Sequence, residues 1–180
     1  TACRIAFRIP GWCRDYTING KKGLREGESV TENGETRTVK DGYLIIDRVW
    51  EGGEKLELEF PMEVRLMQAD GRVREDIGKA AVMRGPVVYC MEEADNGKNL
   101  HLCSLAADPA PEAKAEEQLG QRMVTVTTKG KRLVMQPEEA GELYQEYSRP
   151  EYEEVQLQWI PYFAWANRGE GEMQVFIKAE

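Results

Sequence analysis

Hydrophobic and polar positions alternate along most of this chain, a period of two that sends successive side chains to opposite faces of a strand. Cys3, Ile5, Phe7 and Ile9 share one side and Arg4, Ala6 and Arg8 the other, which predicts a first strand with a core face, ended by Pro10-Gly11. A second strand over residues 16–19 runs into Asn19-Gly20-Lys21, a sharp turn signal, and short charged segments follow to Lys40. Asp41-Gly42 turns the chain into the β-prone run 43–50. Glu51-Gly52-Gly53 then predicts a hairpin onto residues 55–60, where Leu56, Leu58 and Phe60 alternate with Glu57 and Glu59.

Pro61-Met62 breaks that ladder and marks a boundary. Beyond it, residues 64–69, 79–84 and 87–91 read as strands, and Val87-Val88-Tyr89-Cys90-Met91 is apolar on both faces, as in a strand lying centrally in a sheet or between layers. Asp95-Asn96-Gly97 is a further turn. Residues 106–120 are rich in alanine, proline and glutamate and read as an exposed connector, in preference to one or two helical turns over 113–119. Residues 123–128 and 132–136 flank Lys129-Gly130 as a predicted hairpin, 138–144 as a short helix, and 154–160 and 173–178 as strands. No internal repeat is evident. The pattern predicts an all-β fold of two consecutive antiparallel β-sandwich-like lobes with little helix, one over residues 1–62 and one over 63–180.

With 41% hydrophobic and 31% charged residues in 180, the composition is that of an ordinary globular protein. No apolar run approaches the roughly 20 residues of a membrane-spanning helix, so no membrane partner is expected. A net charge of −8 with scattered basic residues argues against nucleic acid. The chain opens at Thr1 directly in a strand pattern, as an excised fragment does. Cys3, Cys13, Cys90 and Cys103 form no C-x-x-C pair, and free structural thiols are the expectation.

Candidate chemistry is sparse. Glu75-Asp76, Glu92-Glu93-Asp95 and Glu153-Glu154 are sequence neighbours that point to opposite faces of a strand, so each cluster reads as solvated surface. His101 is the only histidine, so neither a His-rich metal site nor a standard Ser-His-Asp constellation is expected within this chain, and it reads as a strand-edge residue. Gly169-Glu170-Gly171 lacks the strand and helix that a phosphate cradle needs. What stands out is residues 160–169, Ile-Pro-Tyr-Phe-Ala-Trp-Ala-Asn-Arg-Gly, an aromatic run without helical or strand period. Trp50 and Trp159 sit in strand patterns and belong to the core, whereas Trp12, Tyr162, Trp165, Asn167 and Arg168 are candidate domain-interface or sugar contacts.

This aromatic bend is similar to the C-terminal signature of glycoside hydrolase family 127, the beta-L-arabinofuranosidase family. Further landmarks carry the resemblance in order: Arg8-Ile9-Pro10-Gly11-Trp12-Cys13, Ile18-Asn19-Gly20, residues 42–50, Leu58-Glu59-Phe60-Pro61-Met62, Arg84-Gly85-Pro86-Val87-Val88-Tyr89 and Asp95-Asn96. The resemblance implies an N-terminal (α/α)6 barrel outside these residues, carrying a zinc-held cysteine nucleophile, followed by β-sandwich domains. None of the barrel motifs matches a position here, so no catalytic residue and no metal or cofactor ligand is assigned to this chain, and zinc is expected only in the barrel. The implied partners are the protein's own catalytic barrel and a second copy through the edge of the first strand. The alternative is an autonomous carbohydrate-binding module using Trp12, Tyr162 and Trp165.

Overall fold

The computed structural model describes residues 1–13, 15–118, 120–135, 143–144 and 146–180. It is nearly all-β, and the chain divides into two compact units, Thr1–Glu63 and Val64–Glu180. The helix read at 138–144 falls mostly outside the described residues.

The first unit holds seven strands: β1 Ala2–Arg8, β2 Thr17–Ile18, β3 Lys21–Lys22, β4 Ser29–Glu32, β5 Glu35–Lys40, β6 Tyr43–Val49 and β7 Leu58–Glu59. They form a four-stranded sheet in the order β1-β6-β5-β4 and a three-stranded sheet in the order β3-β2-β7. Two-residue turns close three hairpins, with Asn19-Gly20, Asn33-Gly34 and Asp41-Gly42 all at positive φ in both residues. That is the type I′ geometry whose twist matches the flanking strands. Tyr16, Ile18, Val39, Leu44 and Ile46 are buried between the sheets, with Phe7, Leu58, Phe60 and Trp50 packed against them.

Three expectations change here. The hairpin from 43–50 to 55–60 does not form, because both edges of β6 are already taken by β1 and β5, and β7 pairs with β2 instead. The charged segments before Lys40 fold as the β4–β5 hairpin. The core face of β1 is real only at its end: Phe7 packs inward, Ile5 stays 36% exposed and Cys3 is exposed.

The second unit holds nine strands: β8 Val64–Met67, β9 Lys79–Arg84, β10 Val87–Glu92, β11 Cys103–Leu105, β12 Glu112–Gln118, β13 Gln121–Leu133, β14 Tyr152–Pro161, β15 Met173–Gln174 and β16 Phe176–Ala179. Their pairings run in a closed circuit, from β10 through β14, β13, β11, β16 and β9 back to β10. Strands β8, β12 and β15 are added at its margins. The pairings are antiparallel except β11 on β16. Trp159, Tyr89, Met91, Val126, Leu157 and Ile177 fill the main core. Cys90 points the other way, into a second cluster with Met123, Ile160 and Ala164, so β10 is buried on both faces as its apolar run requires.

Within the expected connector 106–120, Glu112–Gln118 is a strand paired along its whole length with β13, neither a loop nor a helical turn. Nor does Lys129-Gly130 turn the chain, since both lie inside the continuous β13. Gly130 is there for close approach. A Cβ on it would sit 2.4 Å from the Leu157 side chain and 2.7 Å from the Ser104 carbonyl.

Candidate functional site

Strand β14 delivers the aromatic bend. Its inward side chains, Leu157 and Trp159, lock it to the core, and the Trp159 indole donates to the Thr128 hydroxyl at 2.9 Å. Pro161 ends the strand, and Tyr162–Ala164 form one 3-10 turn whose Ala164 is buried against Cys90 and Ile160. The chain then reverses through Ala166, at φ 64°, and Gly169, at φ 97°. A left-handed alanine is strained and persists only where its surroundings hold it.

The holding groups are ionic. The Arg168 guanidinium donates through Nε and Nη2 to one oxygen of Glu92, and through Nη1 to Asp95 at 2.8 Å and Nη2 to its other oxygen. The second Glu92 oxygen accepts the Ala166 amide at 3.0 Å. All four carboxylate oxygens are therefore engaged, and Glu92 itself is buried. The hydrogen bonds that Arg168 donates to Asp95 and Glu92 keep it protonated against the opposing effect of its own burial. Asn167 donates to the Ala164 and Trp165 carbonyls at 3.0 and 3.1 Å, tying the bend to itself.

The supporting turn is fastened by the same means. Glu92 closes β10, and the single helical turn Glu93–Asn96, α1, follows it. The Asn96 side chain bridges the Glu92 carbonyl and both backbone groups of Gln158 at 2.9–3.0 Å. Glu172 accepts the Asn99 and Leu100 amides at 3.0 and 2.7 Å, and those bonds, Leu100 first, hold its carboxyl below the usual value. The expectation that 92–95 is a solvated acidic cluster is thus corrected. These carboxylates are spent on one guanidinium and on backbone amides, and a pair so engaged has no free oxygen to work as acid and base. Glu75, Glu153 and Glu154 are exposed, and Asp76 pairs with Lys79 at 3.6 Å. His101 is not on a strand: it sits exposed in the 3-10 turn Leu100–Leu102.

On this fixed base the aromatic rings turn outward. Tyr162, Phe163 and Trp165 are 44%, 66% and 41% exposed, and the rings of Tyr162 and Trp165 lie 5.8 Å apart at 33°. Beside them is a cavity of about 440 Å³ bordered by Trp165, Arg168, Glu93 and Glu172. The structure thus gathers Tyr162, Trp165, Asn167 and Arg168 into one feature of the second unit. Trp12 is in the first unit, half-buried edge-on against Phe60 at 6.5 Å. Sequence reasoning missed Glu92 and Asp95 as the partners of Arg168, which lie more than seventy positions away.

The cysteines are free. Burial, reinforced by the Glu92 charge, pushes the Cys90 thiol up to about 12, and burial raises Cys13 and Cys103 as well. Among the described residues no three His, Cys, Asp or Glu side chains converge as a metal cluster.

Two family models match the chain end to end, the "glycoside hydrolase family 127 C-terminal domain" over residues 64–178 and the "beta-L-arabinofuranosidase, GH127 middle domain" over residues 1–62. A non-reducing end beta-L-arabinofuranosidase of Bifidobacterium longum subsp. longum is 35% identical over 187 residues, covering 98% of this chain and 26% of the relative. Among solved structures, a GH127 beta-L-arabinofuranosidase from Geobacillus stearothermophilus T6 is similar with a TM-score of 0.81 at 40% identity, over 100% of this chain and 27% of that one. A GH127 beta-arabinofuranosidase gives 0.75 at 30% identity, over 100% and 28%. The chain spans about a quarter of the length of these relatives.

Proposed function

This chain belongs to glycoside hydrolase family 127, as its middle and C-terminal domains, and we propose that it is the accessory region of a beta-L-arabinofuranosidase-like enzyme, supporting a catalytic (α/α)6 barrel that lies outside these residues. The observation that carries the reading is the aromatic platform of Tyr162, Phe163 and Trp165. It is exposed, yet its backbone is fixed by the Arg168–Glu92–Asp95 triad. Aromatic anchors that are already ordered lose little entropy on docking and are enriched among the residues that dominate interface energies. In this reading the Glu92 and Asp95 carboxylates serve to fix the bend, and the chemistry belongs to the barrel, with zinc there and no cofactor here.

The tilted pair of Tyr162 and Trp165 also favours a second reading, a carbohydrate-binding module, since sugar rings stack on aromatic planes. One experiment separates the two. The 180-residue chain and the remainder of the enzyme are produced separately and mixed in a titration calorimeter, and the chain is titrated in parallel with arabinofuranosyl oligosaccharides while tryptophan fluorescence is read. The buttress reading expects association that Trp165→Ala weakens at least about tenfold, with no saturable sugar response. A saturable response lost in Trp165→Ala would establish the module instead, and hydrolysis of an arabinofuranoside by this chain alone would overturn both.

A further inference from the structure

Three asparagine–glycine pairs occur in the chain, Asn19-Gly20, Asn33-Gly34 and Asn96-Gly97. A glycine leaves its own amide unhindered, so in each pair the glycine nitrogen can attack the asparagine side-chain amide. The N–Cγ bond forms, the Cγ–Nδ2 bond breaks, and ammonia leaves with the proton that the glycine amide gives up. Water then opens the five-membered succinimide at either carbonyl, to aspartate or to isoaspartate. Ring closure needs the side chain and the following amide face to face, which a hydrogen-bonded turn does not offer, so the rate follows how readily each site opens.

The fold holds the three sites to different degrees. At Asn96 both reacting groups are engaged. Its Nδ2 donates to the Glu92 and Gln158 carbonyls at 3.0 and 2.9 Å, its Oδ1 accepts the Gln158 amide at 2.9 Å, and the Gly97 amide donates to the Glu93 carbonyl at 2.8 Å. At Asn19 the side chain has one bond, Oδ1 accepting the Glu57 amide at 2.9 Å, and the Asn19 backbone amide donates to the Glu57 carbonyl at 2.8 Å. Asn33 is exposed, and neither its side chain nor the Gly34 amide makes a hydrogen bond among the described residues. Its turn leads out of β4, an edge strand whose four residues are all exposed and which is joined to its sheet only through β5.

We propose that Asn33 is a deamidation site of this chain, converted with water to aspartate and isoaspartate, while the fold shields Asn19 and, most strongly, Asn96. Isoaspartate adds a methylene to the main chain inside a two-residue turn, and turn length is what sets hairpin register. The pairing of Glu32 with Glu35 and of Thr31 with Thr36 is then lost, and β4 peels from the sheet. The buried residues Val39, Leu44 and Ile46 lie on β5 and β6, so the first unit loses a margin and keeps its core.

The test has two arms. In the first, the 180-residue chain is aged at mildly alkaline pH, in buffer and in guanidinium chloride, and sampled by peptide mass spectrometry. In buffer Asn33 should convert at least about tenfold faster than Asn96, and faster than Asn19; in denaturant the three rates should draw together. Conversion of Asn19 or Asn96 that keeps pace with Asn33 in buffer overturns the site. A difference that persists in denaturant overturns the shielding, because neighbouring residues rather than the fold would then select Asn33. In the second arm, the isoaspartyl form is purified from the aged chain by ion exchange and compared by hydrogen exchange with freshly made Asn33→Asp, which has the same charge without the longer main chain. Residues 29–32 should exchange at least about tenfold faster in the isoaspartyl form. Equal exchange in the two overturns the release of β4.

Discussion

The first unit sets its strongest strand, β6, beside an edge strand that buries none of its seven residues, and the second closes its strands into a circuit. Both have apolar cores. In the first, Leu44 and Ile46 are fully buried on β6 while Ile5 on the neighbouring β1 stays more than a third exposed. In the second, each strand of the circuit has neighbours on both sides, and β10 buries both faces. An open sheet keeps a row of unpaired backbone groups at its rim, whereas a closed one has none to spare. Closure also gives irregular segments something rigid to be fastened to, which is how the 160–169 bend can hold a left-handed alanine and three outward rings.

That contrast predicts unequal sensitivities, and the largest should lie in the circuit. Trp159→Ala removes a fully buried ring and its bond to Thr128 and should cost about 3–5 kcal/mol, read by urea unfolding with hydrogen exchange to locate the loss in the second unit. Arg168→Ala should cost about 3–5 kcal/mol, because it strands two mostly buried carboxylates rather than merely deleting a contact. If Arg168→Ala proved as mild as a surface change, the bend would be held by packing alone and the polar half of the comparison would fail. Gly130→Ala should follow at about 1–3 kcal/mol, since the added methyl meets Leu157 and the Ser104 carbonyl within a strand that has no slack.

Titration gives a smaller and more selective effect. The folded-state pKa of Cys90 is raised from 9.0 to about 12, so its contribution to stability is full below pH 9 and is lost as the pH rises from there toward 12. Glu172 has the opposite sign. Its lowered folded value gives stability that is present above the ordinary carboxylate pKa near 4.5 and lost as pH falls through the folded value. Glu172→Gln should therefore flatten the acid limb of a stability profile measured by chemical unfolding, and Cys90→Ala the alkaline limb. Thiol labelling at pH 8 should modify exposed Cys3 quickly, and Cys90 only on unfolding.

The all-β class was legible because period-two alternation is a local property, and the strands at 79–84, 87–91 and 154–160 stand where the pattern puts them. Turn chemistry was read at Asn19-Gly20 and Asp41-Gly42 and overlooked at Asn33-Gly34, which closes the β4–β5 hairpin with the same signal. It misled at Lys129-Gly130, where glycine serves a neighbour's side chain, and at 51–53, where the turn leads to a different sheet. Neither fact is written locally, because both depend on which strand edges are already occupied. The expected connector failed at residues 112–118 for a related reason: alanine and glutamate are weak strand formers, and β12 is a strand because β13 offers it an edge. At the bend, the aromatic run was visible as a feature, while the partners of Arg168 were not. A residue pair more than seventy positions apart leaves no periodic trace, and only the fold brings Glu92 and Asp95 to the guanidinium.

The smallest predicted effect tests the open edge itself. Ile5 lies on β1, where Arg4 already reaches across to Asp47 on β6 at 2.9 Å, and the far side of β1 has no strand partner among the described residues. An unpaired edge carrying an exposed isoleucine favours pairing with a second copy, and an added lysine on such an edge opposes it. Ile5→Lys should therefore shift sedimentation-equilibrium profiles toward monomer while changing the unfolding free energy by no more than about 0.5 kcal/mol. A substitution in the circuit, Val155→Lys on β14, falls opposite Gly130 of β13 with the main core packed against it, and should lower stability without altering association. If instead Ile5→Lys left association unchanged, the edge would be silent, and the difference between the two units would be one of burial alone.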